Sequence, residues 1–541
     1  MTVSARREIV GEIHLTGHPA SPGLAIGPVA VLTTKVVSRV TKGDPAQEAA
    51  ALNAAIKGAA AELAGLIATV HGEAAEILEF QVAMLGDDAL AEAAYEAIAG
   101  GAAADAAWCA ALDAEIAGYR AANEEYFRAR AADLIDIRDR VLAGLNGADP
   151  IAKISGDSVV IGDDISPSTF LAVDWTRGGA IALAAGSPSS HVAMLARARG
   201  APMVVGLGPL PWNGQPPSLA LVDGDAGTVI FDPKPETRRL FERRMATANA
   251  AQIAADAGRL KPAVTADGRR IAILLNIAAP EDLAGLDPAI CDGIGLVRTE
   301  FLFEGSRGLP GEDAQYAVYQ RILEWAAGRP VTIRTLDAGG DKPIAGLTID
   351  GERNPFLGLR GIRLSLARPE VFRVQLRALC RAAVHGTLKV MLPMIAVPSE
   401  LDRANAMLDA EFAALRAEGI ACARPPLGIM VEVPAAALCA ADFGAAFYSI
   451  GSNDLTQYTM AAARDIGAVA DLNDAGHPAV LALIARTVEA GRTRGVEVSL
   501  CGDAAADTRL TKALLAAGLT TLSVSPIAVA RLKAGIAGVT A

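Results

Sequence analysis

Between about Pro45 and Gly147, apolar residues recur at the three- and four-residue spacing of a helix, as in AEILEFQVAML and EEYFRARAADLIDIRDRVLAGL. Gly and Pro thin out here while Ala, Glu and Leu dominate, so the pattern predicts a bundle of several antiparallel helices. The flanking segments keep a different rhythm. Residues 15–35 (LTGHPASPGLAIGPVAVLTTK) read as short strands and turns, and DSVVIG (157–162), GAIALAA (179–185), PMVVGLG (202–208) and SLALVDGDAGTVIFDP (218–233) predict further strands. The simplest organisation is an α/β domain made of residues 1–38 plus 148–233, with a helical domain of residues 39–147 inserted in it.

A charged helical stretch, KPETRRLFERRMATANAAQIAADAGRLK, occupies residues 234–261 and reads as a linker. Beyond it, over residues 262–541, strand runs alternate with helical ones: IAILLN, DGIGLVR, VTIRTLD, LKVMLPMI, LGIMVEV, FYSIGS, EVSLCG and TLSVS. That number of units over that length predicts a (βα)8, or TIM, barrel, with an open doubly wound sheet as the alternative. The expected fold class is multidomain α/β: a small α/β domain with an inserted helical bundle, then a C-terminal barrel.

Composition narrows the function classes. Of 541 residues, 52% are apolar and 20% charged, the balance of a globular chain rather than a disordered one. A formal charge of −12 speaks against nucleic acid, whose phosphates need a basic face. The six cysteines are scattered with no CxxC pair and read as reduced thiols. The opening MTVSARREIVGEIHL lacks the apolar core of a signal peptide. Ala513 to Ala530 is uncharged, but Gly518, Pro526 and its hydroxyl residues predict a buried strand with loops, not a membrane span. The expectation is a soluble cytoplasmic protein with no membrane insertion.

Candidate chemistry gathers at two places. In Gly186-Ser-Pro-Ser-Ser-His191-Val-Ala-Met-Leu-Ala-Arg197, Ser189 or Ser190 suits an N-cap. His191 would then lie in the first helical turn, where free N–H groups and the helix dipole favour an anion; a plain capping role is the alternative. In the C-terminal half, functional residue types follow strand runs: Arg298 in RTEFLF, Arg334 in RTLDAGGDK, Arg360 in NPFLGLRGIR, Glu432 after GIMV, Asp454 in GSNDLTQY and Cys501 closing the SLCG strand. In a (βα)8 barrel these positions converge on one face. Arginines suit phosphate and carboxylate, or each forms a structural ion pair. Glu432 and Asp454 suit a Mg2+ site, or each pairs with a neighbouring Arg. Cys501 suits a proton donor, or is a small buried hydrophobe. No GxxxxGK[ST] or GxGxxG run occurs, which weakens a nucleotide-binding reading.

In order along the chain, ASPGLAIG, SSHVAMLAR, RTEFLF, RTLDAGGDK, NPFLGLRGIR, MLPMI, GIMVEVPAA, SIGSNDLTQYT and CG resemble enzyme I of the bacterial phosphoenolpyruvate-dependent sugar phosphotransferase system. The resemblance implies a phosphoenolpyruvate-protein phosphotransferase that moves phosphate from phosphoenolpyruvate to His191 and then to the phosphocarrier protein HPr, releasing pyruvate. It further implies substrate binding by Arg298, Arg334, Arg360, Asn453 and Arg464, Mg2+ ligation by Glu432 and Asp454, and protonation of the enolate carbon by Cys501. The domain of residues 1–38 plus 148–233 would swivel, HPr would dock on residues 39–147 with Glu73, Glu76, Glu79, Asp87 and Asp88 as a candidate steering surface, and the barrel would form a homodimer. The chain departs from the family where Ser187-Pro188 follow Gly186, where Ser189 replaces Thr, and where Gly502-Asp503 stand for Gly-Glu. Two other readings are a dikinase-like phosphohistidine enzyme and a regulator that senses phosphoenolpyruvate or a phosphocarrier without turnover. The dikinase needs an ATP-binding domain of about two hundred residues, a full domain in size, and residues 45–147 are too short and wholly helical.

Overall fold

The structure is a computed structural model that describes residues 12–32, 44–67, 73–121, 125–147, 154–188, 190–212, 216–303, 308–340, 344, 346–349, 351–463 and 467–540. The chain divides into two compact units, Met1–Ala248 and Asn249–Ala541.

In the first unit, β1 (Ile13–Thr16), β2 (His18–Ser21) and β3 (Leu24–Val31) precede five helices, α1 (Pro45–Ile67), α2 (Glu73–Leu85), α3 (Asp88–Ala99), α4 (Ala104–Ala121) and α5 (Glu125–Leu145). β4 (Val159–Gly162), α6 (Pro167–Leu171), β5 (Ala180–Leu183), α7 (His191–Arg199), β6 (Met203–Val205), β7 (Leu219–Asp223) and β8 (Thr228–Phe231) complete it, and α8 (Pro235–Gly258) follows. The strands form one mixed sheet in the order β1-β8-β7-β3-β4-β5-β6-β2, so β3 and β4 are neighbours although the helices lie between them in sequence. The helical spacing has its expected consequence: Trp108, Leu112 and Ile116 of α4 and Leu134, Ile137 and Val141 of α5 are buried together.

Polar side chains buried among these helices form a network, in which Gln81 Oε1 and Arg140 Nε have no hydrogen-bond partner among the described residues. Gln81 Nε2 donates to Asp133 (3.3 Å) and Asp136 (3.1 Å), Ser168 Oγ donates to the other oxygen of Asp136 (2.8 Å), and Arg140 reaches both Ser168 (2.7 Å) and Glu62 (2.7 Å). This network joins α1, α2 and α5 to α6. By length and composition α1 could cross a membrane; here Leu52 and Leu63 on it are fully buried in the bundle core.

The second unit is a closed parallel barrel. Its strands are β10 (Arg270–Ile277), β11 (Gly293–Val297), β12 (Val331–Arg334), β13 (Leu388–Leu392), β14 (Leu427–Val431), β15 (Phe447–Gly451), β16 (Glu497–Cys501) and β17 (Thr521–Val524), with a two-residue β9 (Ala263–Val264) antiparallel to β10. Pairing of β10 with both β17 and β11 closes the ring. The open sheet is excluded, and the eight strands are those read from the sequence. The segment Ala513–Ala530 contains β17 between two short helices.

Candidate active site

Every strand of the barrel runs in the same direction, so all strand C-termini open on one rim. Arg298, Thr299 and Glu300 follow β11; Arg334 ends β12 and Asp337 stands three residues on; Glu432 follows β14; Asn453, Asp454 and Tyr458 lie on the helix Ser452–Met460 directly after β15; Cys501 ends β16.

Two guanidiniums are buried at this rim among four carboxylates. Arg334 and Arg360 are 5% and 1% exposed, and Glu300, Asp337, Glu432 and Asp454 range from 1% to 6%. Arg334 Nη2 donates to Glu300 Oε2 (3.1 Å) and its Nη1 meets Asp337 Oδ2 at 3.0 Å. Its Nε is buried with no hydrogen-bond partner among the described residues, a donor that a ligand or water would satisfy. Arg360 contacts Asp337 through Nε (3.1 Å) and Nη2 (3.1 Å), Asp454 through Nη1 (3.2 Å) and Nη2 (3.0 Å), and the Tyr458 hydroxyl through Nη1 (3.2 Å). Burial opposes charge on both arginines, but the adjacent carboxylates outweigh it and hold them firmly protonated. Arg334 and Arg360 are thus both ion-paired, Arg334 with Glu300 and Asp337 and Arg360 with Asp337 and Asp454. Arg298 is exposed, and no hydrogen bond or ion pair of its side chain occurs among the described residues.

Glu432 is a buried carboxylate whose surroundings oppose its charge. Burial first, then the like charges of Asp454 and Asp337, push its pKa up to about 8. Its Oε1 accepts from the Met394 N–H at 2.6 Å, and Met394 adopts a left-handed backbone (φ 58°) to present that donor. Its Oε2 lies against Gly451, where a Cβ would come within 2.8 Å of it, so glycine is required there by close approach. If all are ionised, four carboxylates against two guanidiniums leave an excess of negative charge that a divalent cation would balance. Among the described residues no group of three or more His, Cys, Asp or Glu side chains forms a metal cage. Mg2+ usually takes only one or two carboxylates and keeps waters or substrate oxygens, so Glu432 and Asp454, hard donors from adjacent strands, fit it.

Cys501 is buried against Leu296, Met391, Met430 and Phe447. Ser449 Oγ donates to its Sγ (3.4 Å), and its thiol donates to the Ile450 carbonyl (3.5 Å). Burial raises its pKa, which keeps it a thiol. Asn453 points instead at the short helix Asp503–Ala506 after β16: its Nδ2 donates to Asp503 Oδ2 (3.1 Å) and its Oδ1 accepts the Asp503 N–H (2.9 Å). Arg464 lies outside the described residues.

In the first unit, His191 is the first residue of α7, Ser190 is the N-cap, and Ser190 Oγ accepts the Ala193 N–H (3.2 Å). Arg197 ties down the preceding loop, donating to the Pro188 carbonyl (2.9 Å) and the Ala20 carbonyl (2.6 Å). The side chains of His191, Glu73, Glu76 and Asp88 lie outside the described residues. Glu79 and Asp87 are exposed, and Asp87 caps α3 by accepting the Ala89 N–H (3.0 Å).

Residues 254–541 match the PEP-utilising enzyme PEP-binding domain, 16–130 the N-terminal domain of PEP-utilising enzymes and 154–227 their mobile domain. The phosphoenolpyruvate-protein phosphotransferase of Geobacillus stearothermophilus is 41% identical over 418 residues, covering 76% of this chain and 72% of that protein. The chain belongs to the phosphoenolpyruvate-protein phosphotransferase family. Family members from Streptomyces coelicolor (38% identity over 542 residues, 97% of this chain and 94% of the relative) and Priestia megaterium (38% over 426 residues, 77% and 74%) extend the similarity. Within the phosphotransferase barrel, Glu300, Asp337 and Tyr458 complete the rim, and reading of isolated motifs assigned them no role. Glu300 sits two residues after Arg298 in RTE and Asp337 three after Arg334 in RTLD, and this nearness to an arginine at a strand end was their only sequence signal.

Proposed function

We propose that this protein is enzyme I of the sugar phosphotransferase system, taking the phosphoryl group of phosphoenolpyruvate onto His191 and passing it to HPr. Family membership carries the activity. The observation that carries the site is the gathering of Arg334, Arg360, Glu432, Asp454 and Cys501, from four strand ends and one loop, at a single rim.

In this reading Arg298, Arg334 and Arg360, with Arg464 and Asn453, bind the phosphate and carboxylate of the substrate, their planar forks orienting the P–O bond. Glu432 and Asp454 would hold Mg2+, which when bound supplies divalent positive charge beside the substrate's anionic groups. A ring nitrogen of His191 attacks phosphorus, the P–O bond breaks, and its electron pair stays with the enolate. The Cys501 thiol then donates its proton to the enolate carbon, giving pyruvate. Phosphohistidine at the head of α7 gains from the N-terminal amides and dipole.

Residues 1–38 plus 148–233 act as the swivelling phosphohistidine domain, 39–147 as the HPr-binding domain, 234–261 as the linker and 262–541 as the phosphoenolpyruvate-binding barrel. We place the reaction in the cytoplasm and pair two chains through their barrels. The test is incubation of the full chain with labelled phosphoenolpyruvate and Mg2+. Acid-labile, base-stable label is expected on the wild type and none on His191→Ala; label persisting on the variant overturns the assignment.

A further inference from the structure

All five N–H donors of Arg360 are engaged. One edge of the guanidinium, Nε and Nη2, lies on the two oxygens of Asp337; the other, Nη1 and Nη2, lies on the two oxygens of Asp454, and the remaining Nη1 donor goes to Tyr458. An arginine that grips a phosphate with a fork of two parallel bonds must first free one edge.

The two carboxylates are not equivalent in what holds them. Asp337 Oδ2 is shared between Arg360 Nη2 (3.1 Å) and Arg334 Nη1 (3.0 Å). Its backbone N–H donates to Glu300 Oε1 (2.9 Å), while Glu300 Oε2 takes Arg334 Nη2 (3.1 Å). Arg334, Glu300 and Asp337 thus close a ring, and Arg360 hangs on it by one edge. Parting Arg360 from Asp337 would disturb both arginines together. Asp454 belongs to another element, the first turn of the helix Ser452–Met460, and outside that ring. Its oxygens are also those that would turn to a divalent cation.

From this asymmetry we infer that Asp337 is a positioning residue for phosphoenolpyruvate. One carboxylate sets the spacing of Arg334 and Arg360 and keeps Arg360 in place when Asp454 releases its Nη1/Nη2 edge to the substrate phosphate. Asp337 is held by two guanidiniums, Arg334 and Arg360, and Asp454 by Arg360 alone, so in this inference Asp337 serves the arginines. The inference rests on the reading of the rim as the phosphoenolpyruvate site.

The test uses the full chain with HPr. Asp337→Asn turns one oxygen into an N–H donor facing a guanidinium. The KM for phosphoenolpyruvate is expected to rise at least about tenfold, with kcat lowered by a smaller factor. Asp337→Glu, which keeps the charge on a longer arm, is expected to recover part of that loss, and labelling of His191 from phospho-HPr to stay at the wild-type level in both. A KM within twofold of wild type in Asp337→Asn, or a fall in kcat at unchanged KM, overturns the role. Should thermal unfolding show that Asp337→Asn does not fold, Asp337→Glu decides: a KM raised at least about threefold supports positioning, an unchanged KM overturns it. Failure of the wild type to take label from phosphoenolpyruvate would instead strike the underlying reading.

Discussion

Arg360 and Asp454, separated by 94 residues, meet fork to fork, Nη1 to Oδ1 at 3.2 Å and Nη2 to Oδ2 at 3.0 Å. A side chain with one point charge cannot reproduce two parallel bonds on each of two carboxylates. Arg360→Lys is expected to lower kcat/KM for phosphoenolpyruvate at least about 100-fold, equivalent to losing two charge-assisted hydrogen bonds in the transition state. Arg360→Met leaves Asp454 buried without its cation and Asp337 with Arg334 alone, and should cost about 3–5 kcal/mol, read from urea unfolding of the metal-free chain.

Gly451 lies where any Cβ would meet Glu432, 2.8 Å from Oε2 and 3.0 Å from its Cβ, with Met430 Cγ at 3.1 Å. Glu432 is buried, and its Oε1 is held by the Met394 N–H. Gly451→Ala should therefore displace the carboxylate and raise the Mg2+ concentration needed for half-maximal activity about tenfold or more. The same titration followed by thermal shift should show a weaker Mg2+ response.

Burial keeps the Cys501 thiol protonated, the form a proton donor needs. Cys501→Ala is expected to slow pyruvate formation by about 10²–10⁴-fold, the usual contribution of a positioned acid. Exchange of phosphate between HPr and His191 requires no enolate protonation and should be unchanged. Alkylation of Cys501 by iodoacetamide should stay slow until pH exceeds the ordinary thiol range.

Ser190 closes the first turn of α7 through its bond from Ala193 N–H. Ser190→Ala should destabilise that helix end by about 1 kcal/mol. Hydrogen exchange at the amides of residues 192–194 is expected to quicken while barrel amides keep their protection.

Stability should depend on pH through Glu432. Folded, burial and its acidic neighbours raise its pKa from 4.5 to about 8. Between those values the folded chain holds a proton that the unfolded chain has released, so metal-free stability falls as pH rises through that window. Urea midpoints at pH 5, 6.5 and 8 should decline in the wild type and decline less in Glu432→Gln.

Much of this molecule was legible along the chain because the deciding information is local. Helical spacing in 45–147, eight apolar runs after residue 262, the serine before His191 and polar groups just past strand runs depend only on neighbours within a turn or a strand. Together with a known strand direction they place Arg334, Glu432, Asp454 and Cys501 at one rim. Local order could not say how the charges at that rim divide among themselves. That Arg360 uses both edges on Asp337 and Asp454, that Asp337 is shared with Arg334, and that Asn453 turns to Asp503 follow from closure of the barrel, which brings residues of distant strands within hydrogen-bond reach. Sequence determined which groups stand at the strand ends; tertiary structure decided which pairs of them touch, because a hydrogen bond is set by ångströms between elements and periodicity reports only position within one.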